Sequence, residues 1–180
     1  MFLSARQVKS EDTMYDELTE VDIRKMQEEL HYRYTVLAPQ LGEEVARTRA
    51  YGDLSENAEY KVAKQERNKN RSRIRYLEAM IRTARVITVS SKEDEIGLFD
   101  HVEYFHEGRG ITKKIQIVTT LRQDALEGYV SKESPLGQAL MGHKVGDRIL
   151  VEVNPTRSYY VVVKSLTKGV DNEDLPISTF

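Results

Sequence analysis

The sequence predicts an α+β protein: an N-terminal antiparallel coiled-coil hairpin followed by a small antiparallel β-sheet domain that carries one short helix. Three observations predict it. Apolar side chains recur by threes and fours from Thr19 onward, a short turn at Tyr51-Gly52-Asp53-Leu54-Ser55 splits that helical stretch into two runs, and beyond Arg85 the apolar period shortens to two.

The elements follow in order. Residues 1–17 are polar and aperiodic and read as a flexible leader. The hairpin is assigned to residues 18–87. Its first helix carries Ile23, Met26, Leu30, Leu37, Leu41, Val45 and Thr48 on a heptad-like seam, with Thr19 as N-cap and Asp22 as a first-turn carboxylate. Pro39 and Gly42 interrupt this run, and an interior proline removes one hydrogen bond, so a kink is expected there. The second helix places Ala58, Ala63, Asn70, Ile74, Leu77, Ile81 and Ala84 on its apolar side. Two helices of about 30 residues joined this tightly fold back on each other into a rod of roughly 45 Å, which is longer than a small domain needs. The rod is expected to protrude.

The second domain is assigned to residues 88–168, with Ser90 to Glu95 as the linker and 169–180 as a loose polar tail. Val86–Val89, Phe99–Phe105, Ile115–Leu121, Ile149–Val153 and Tyr159–Leu166 read as strands, being rich in β-branched and aromatic residues. Ser134 as N-cap, Pro135 at the first helical position and Gly142 at the end frame a helix of one to two turns.

Composition narrows the function classes. Of the 180 residues 39% are hydrophobic and 31% charged, a balance that long exposed helices produce. The net charge is −2 and the isoelectric point near 6.1, so no whole-chain positive field draws the protein to nucleic acid. Cysteine is absent, which excludes disulfides, thiolate zinc sites and cysteine nucleophiles. The four histidines, His31, His101, His106 and His143, lack metal-ligand spacing. No segment has the apolar length of a signal peptide core or a membrane span, and a cytoplasmic protein is expected.

Asp53 and Glu56 stand at the far end of the predicted rod. Asp53-Leu54-Ser55-Glu56 has the spacing of a capping box, in which both groups satisfy free amides at the start of the second helix. Spacing alone favours that use. The chemical alternative is that the carboxylates face solvent and hold a metal ion. Mg²⁺ is commonly bound by one or two carboxylates, waters and a substrate phosphate, so two acids on an exposed tip form half a site that another molecule completes.

Gly52-Asp53-Leu54-Ser55-Glu56-Asn57-Ala58-Glu59-Tyr60 is similar over nine consecutive positions to the tip signature of the Gre transcript-cleavage factors, GreA type more than GreB type. Ala63-Lys64, Arg73-Ile74, Leu77-Glu78 and Ala84-Arg85-Val86-Ile87 also fall where that family carries like residues. Ser134-Pro135-Leu136-Gly137, Ala139-Leu140, Gly142 and Val145-Gly146-Asp147 resemble its second signature. The resemblance spans residues 19–166. It implies an FKBP-like C-terminal domain that docks on bacterial RNA polymerase and a hairpin that threads the secondary channel. There Asp53 and Glu56 help retain a catalytic Mg²⁺ and an attacking water while the polymerase cuts its own backtracked RNA. The implied partners are the RNA polymerase elongation complex and the nascent RNA 3′ end, with neither a membrane nor a small-molecule substrate, and the chain itself is not an enzyme. Ser55 and Asn57 are then secondary contacts and Leu54 a packing residue. The sequence departs from the family pattern where Asp22 replaces a usual glycine, where Met26 replaces a common leucine, and at the turn Pro155-Thr156-Arg157-Ser158.

Helix two is basic, and Lys64, Arg67, Arg71, Arg75 and Arg82 recur at helical spacing. They form either a stripe that contacts RNA or an acidic channel wall, or a solvated face that balances the acids of helix one. Tyr104, Phe105, Tyr129, Tyr159 and Tyr160 are read as core and cross-strand residues in preference to a prolyl-peptide pocket, and His143 as exposed. Two rivals remain in view: a channel-binding paralogue that inhibits polymerase without cleavage, and a prolyl isomerase with a helical handle.

Overall fold

A computed structural model describes residues 16–50 and 58–178. Strand β1 (Glu17–Leu18) leads into helix α1 (Glu20–Tyr32), a π-helical turn (Arg33–Leu37) and helix α2 (Ala38–Arg49), and helix α3 (Ala58–Thr83) runs back alongside to strand β2 (Arg85–Val86). Thr19 caps α1 in a reciprocal box: its Oγ1 accepts from Asp22 N–H at 3.3 Å while Asp22 Oδ2 accepts from Thr19 N–H at 3.1 Å.

Pro39 does not break the first helix. The turn before it widens, so that Ala38 N–H donates five residues back to the Arg33 carbonyl. Proline has no N–H to offer and its ring crowds the carbonyl four residues earlier, here that of Thr35. One extra residue in the turn relieves both problems where a kink was expected. The seam that holds the helices together comprises Met26, Val45 and Thr48 on one side and Ala63, Ile74 and Leu77 on the other, all buried. The Thr48 hydroxyl is satisfied within its own helix, donating to the Glu44 carbonyl at 2.9 Å. The base of the hairpin is closed by β1 pairing parallel with β2, which buries Leu18 completely.

The C-terminal sheet contains β3 (His101–His106), β4 (Ile111–Val118), β5 (Tyr129–Ser131), β6 (Arg148–Asn154) and β7 (Arg157–Thr167), in the order β5-β4-β3-β7-β6. The sequence predicts an antiparallel sheet, and the observed order has four neighbouring pairs. Three pairs are antiparallel, but β5 runs parallel to β4 and makes the sheet mixed. The three-residue β5 is too short to announce itself as a period-two run and was not anticipated. Val86–Val89 contributes only the end of β2, and Ile87 and Val89 instead pack against the sheet core. Helix α4 (Pro135–Leu140) covers one face, and Leu140 joins Phe99, Ile117, Val118, Val151 and Val161 in that core.

Residues 169–178, read as a loose tail, are fastened along their length. Gly169 N–H donates to Asp100 Oδ1, Ser178 N–H donates to the Leu121 carbonyl, and Leu175 and Ile177 pack against the two apolar clusters. Among the described residues no helix is long and apolar enough to cross a membrane.

Met26 is fully buried in the seam and Val62 is 58% exposed on the same rod. Met26→Ala is expected to cost about 3 kcal/mol in urea unfolding followed by far-UV circular dichroism. Val62→Ala should stay within about 0.5 kcal/mol of wild type.

Candidate functional site

The predicted tip residues Asp53, Ser55, Glu56 and Asn57, together with their capping-box alternative, lie outside the described residues. What the structure describes is the rod that carries them. The 26 residues of α3 run for about 39 Å, and α2 packs along its distal part while α1 lies beside its proximal part. Residues 51–57 therefore connect the ends of two long antiparallel helices remote from β1 and β2, which close the base.

Halfway along, the seam contains a polar layer. Arg73, only 4% exposed, grips Glu29 with Nε and Nη2, both at 2.9 Å, and Arg33 Nε adds a third bond at 2.6 Å. Arg33 Nη1 reaches on to Asn70 Oδ1 at 2.9 Å. Burial pushes the Glu29 carboxyl up, but the hydrogen bonds from Arg73 and then Arg33 outweigh it and hold the group below its ordinary range. Asn70 was placed on the apolar side by its spacing; that an arginine is buried beside it was not legible, because its partner Glu29 is on the other helix.

Of the predicted binding residues on α3, Lys64, Arg71 and Arg75 are exposed together with Arg82, and Arg67 is half-buried at the margin of their face with its Nε unpartnered among the described residues. Arg75 donates to Ser72 Oγ at 3.2 Å. Of the acids on the first helical run, Glu29 is engaged in the polar layer and Glu44 with Arg47 of its own helix. Among the described residues Lys64, Arg71, Arg75 and Arg82 form no ion pair, and the stripe stays available. Lys64 also borders a groove of about 750 Å³ together with Lys61, Lys69 and Arg33.

In the C-terminal module the second signature frames α4. Ser134 Oγ accepts from Gly137 N–H at 3.0 Å and donates to the Ser131 carbonyl at 2.7 Å, and Pro135 begins the helix. Gly137 is required by close approach, since a Cβ there would lie 2.1 Å from the Ser131 carbonyl oxygen. Gly142 follows the helix at φ +78°, a left-handed conformation that favours glycine. Tyr129 and Tyr159 pack against the sheet core that contains Tyr104, in keeping with their reading as core residues. Tyr104 is core, Tyr159 stacks on His106 at 4.4 Å, and Tyr160 lies under the Arg148 guanidinium at 3.6 Å. His143 is exposed and its Nδ1 lies 2.8 Å from Asp147 Oδ2. Among the described residues no group of three or more His, Cys, Asp or Glu side chains is placed to hold a metal ion.

Two family profiles match the chain: "Transcription elongation factor, N-terminal" over residues 17–86, and "Transcription elongation factor, GreA/GreB, C-term" over residues 91–167. The chain belongs to the GreA/GreB transcription elongation factor family. Its similarity extends to individual members. A transcription elongation factor GreA of Caldanaerobacter subterraneus subsp. tengcongensis is 41% identical over 137 residues, 76% of this chain and 87% of that one. One of Thermoanaerobacter pseudethanolicus is 39% identical over the same shares. The crystal structure of GreA factor homolog 1 (Gfh1) of Thermus thermophilus is 24% identical, with a TM-score of 0.40, covering 86% of this chain and 99% of that one. Within the GreA/GreB family frame, the joint between the matched N-terminal and C-terminal regions is where sequence reasoning missed the most. Asp22 and Arg122, 100 residues apart, form an ion pair with neither side chain exposed.

Because Glu29 is held below its ordinary range, its extra stabilisation is complete above the ordinary glutamate range and is lost as pH falls through the lowered value. Glu29→Gln should therefore destabilise by about 3 kcal/mol near neutrality. In urea unfolding at stepped pH, the gap between variant and wild type should close as the solution becomes more acidic than ordinary glutamate titration.

Proposed function

We propose that this chain is a transcription elongation factor that binds RNA polymerase, places the end of its hairpin in the secondary channel and stimulates the polymerase's own Mg²⁺-dependent cleavage of backtracked nascent RNA. The observation that carries this reading is the position of Gly52-Asp53-Leu54-Ser55-Glu56-Asn57-Ala58-Glu59-Tyr60 at the junction of two long antiparallel helices in a GreA/GreB-family chain. The relatives at 41% and 39% identity are transcription elongation factors by name.

The chemistry follows from the residue types. Asp53 and Glu56 offer two hard oxygen donors and little else, which suits an ion whose remaining ligands are waters and a phosphate of a bound substrate. Mg²⁺ shared with the polymerase would polarise the phosphodiester and lower the pKa of a water near it. The two carboxylates orient that water and add negative charge where the polymerase grips its ion weakly. Ser55 and Asn57 would contribute secondary polar contacts in this reading. The unpaired stripe of Lys64, Arg71 and Arg75, with Arg67 at its margin, supplies positive charge along the rod toward the phosphates of the RNA 3′ segment or an acidic wall. Ser134, Pro135, Gly137 and Gly142 act indirectly, by holding α4 against the sheet of the module that docks on the polymerase. The protein is a cofactor of cleavage and works only where a backtracked elongation complex is present.

The amide variants Asp53→Asn and Glu56→Gln separate this role from helix capping, because an amide still accepts from a backbone N–H but carries no charge. On a stalled elongation complex each should slow transcript shortening by roughly 100-fold, with polymerase binding retained. Full cleavage by the double variant would mean that the acids only cap the helix. Repression of transcription without any shortening by the wild-type chain would favour an inhibitory paralogue.

A further inference from the structure

The residues after the second matched region, from Lys168 onward, are not an appendage. Lys168 Nζ lies within hydrogen-bond distance of Ser91 Oγ, the carbonyls of Lys92 and Glu95, and Asp100 Oδ2, more acceptors than its three N–H groups, fastening the start of the segment to the linker between the domains. Gly169 then passes so close to Phe99 that a Cβ would lie 1.8 Å from its carbonyl oxygen. Phe99 itself is fully buried at φ +68°, an unusual conformation for a bulky residue, and its ring lies 5.0 Å from the Arg122 guanidinium. Next, Asn172 accepts from Arg122 Nη1 through its carbonyl at 2.8 Å. Asp171 Oδ1 lies 2.8 Å from Arg122 Nη2 but off the line of its N–H, so that contact is charge against charge. On its other edge Arg122 Nε donates to Asp22 in the first turn of α1 at 2.5 Å. Farther along, Glu173 pairs with Arg24, and Lys25 donates to the carbonyls of Glu173 and Leu175, again on α1. Ile177 finally packs into the cluster of Leu18, Met26, Leu77 and Leu121.

We propose that residues 168–178 are a strap that fixes the direction of the hairpin against the C-terminal module, and that Asp22, Arg122 and Asp171 are positioning residues for cleavage stimulation. The second half rests on the function proposed above. The mechanical argument is leverage. A rod of about 39 Å swung by about 10° at its base displaces its end by about 7 Å, whereas a group acting on a reacting centre must be held to within about 0.5 Å. The hairpin meets the module at β1, the first turn of α1, the end of α3 and the turn Thr120–Arg122. The strap crosses that small joint and ties α1 to the linker and to Arg122 at the same time. A swing of the rod therefore requires a buried arginine to lose several partners together.

The chain has no cysteine, so two can be introduced for spin labels, at Gln65 on the rod and Thr156 in the turn before β7, both exposed. Pulsed electron spin distance measurement on the full chain should give one narrow peak. A chain truncated after Gly169, and separately the full-length double variant Asp171→Asn/Glu173→Gln, should broaden or split that peak, with circular dichroism showing helix and strand content unchanged. The double variant should also raise the concentration needed for half-maximal transcript cleavage about tenfold, as the competent orientation becomes a minor population, while the rate at saturation is kept. An unchanged distance peak in both variants overturns the strap. A broadened peak with unchanged half-maximal concentration overturns the positioning role. The distance arm uses no polymerase, so it still decides the strap if the wild-type chain fails to stimulate cleavage.

Discussion

A buried ion pair between the first turn of the first helix and a turn of the other domain organises this molecule. Asp22 and Arg122 are both fully inaccessible, and neither could be tolerated there alone, because an unpaired charge in such a place costs several kcal/mol. Each is also saturated by other partners. Asp22 closes the cap on Thr19, and Arg122 reaches Asn172, Asp171 and the face of Phe99. The cap, the joint and the C-terminal segment thus depend on one another. The apolar cluster around Leu18, Met26, Leu77 and Leu121 supplies contact area, and the charged pair supplies direction, since area alone would permit sliding.

A second polar group acts inside the rod. A seam of leucine- and alanine-like contacts is tolerant of a shift by one turn, which would move the end of one helix by about 5.4 Å relative to the other. The grip of Arg73 on Glu29, extended through Arg33 to Asn70, has partners in one register only. It sits beside the π turn, where the first helix has absorbed Pro39 by gaining a residue. Directional polar contacts therefore set the length and the aim of a rod that apolar contacts hold together.

Much of this was legible in the residues. The two helical runs, the Thr19 cap, the seam from Met26 to Thr48 and the α4 frame of Ser134, Pro135 and Gly142 are local patterns, and local patterns are visible in a single chain. What was not legible shares one property: it depends on partners far away. Asp22 stood out as a departure from the family's glycine, yet its meaning required Arg122, 100 residues later. The segment after Lys168 is polar and lacks periodicity, which reads as looseness, whereas its order comes from backbone groups meeting Arg122, Lys25 and Asp100. The parallel β5 is set by its neighbour β4 and has too few residues to show a period. The π turn was half legible, since Pro39 demanded some accommodation but several would have served. At the tip the family signature from Gly52 to Tyr60 is complete in the sequence, and of it Ala58, Glu59 and Tyr60 lie among the described residues, in the first turn of α3.

In the proposed function the chain lends two carboxylates to a metal centre of another molecule. The most direct measurement is the Mg²⁺ dependence of transcript shortening on a stalled elongation complex, with wild-type chain and with Asp53→Asn. A lent ligand predicts that the wild-type chain shifts half-maximal cleavage to lower Mg²⁺ than polymerase alone requires, that Asp53→Asn loses that shift, and that raised Mg²⁺ recovers part of its rate. A Mg²⁺ midpoint that is the same with and without the chain would contradict the account.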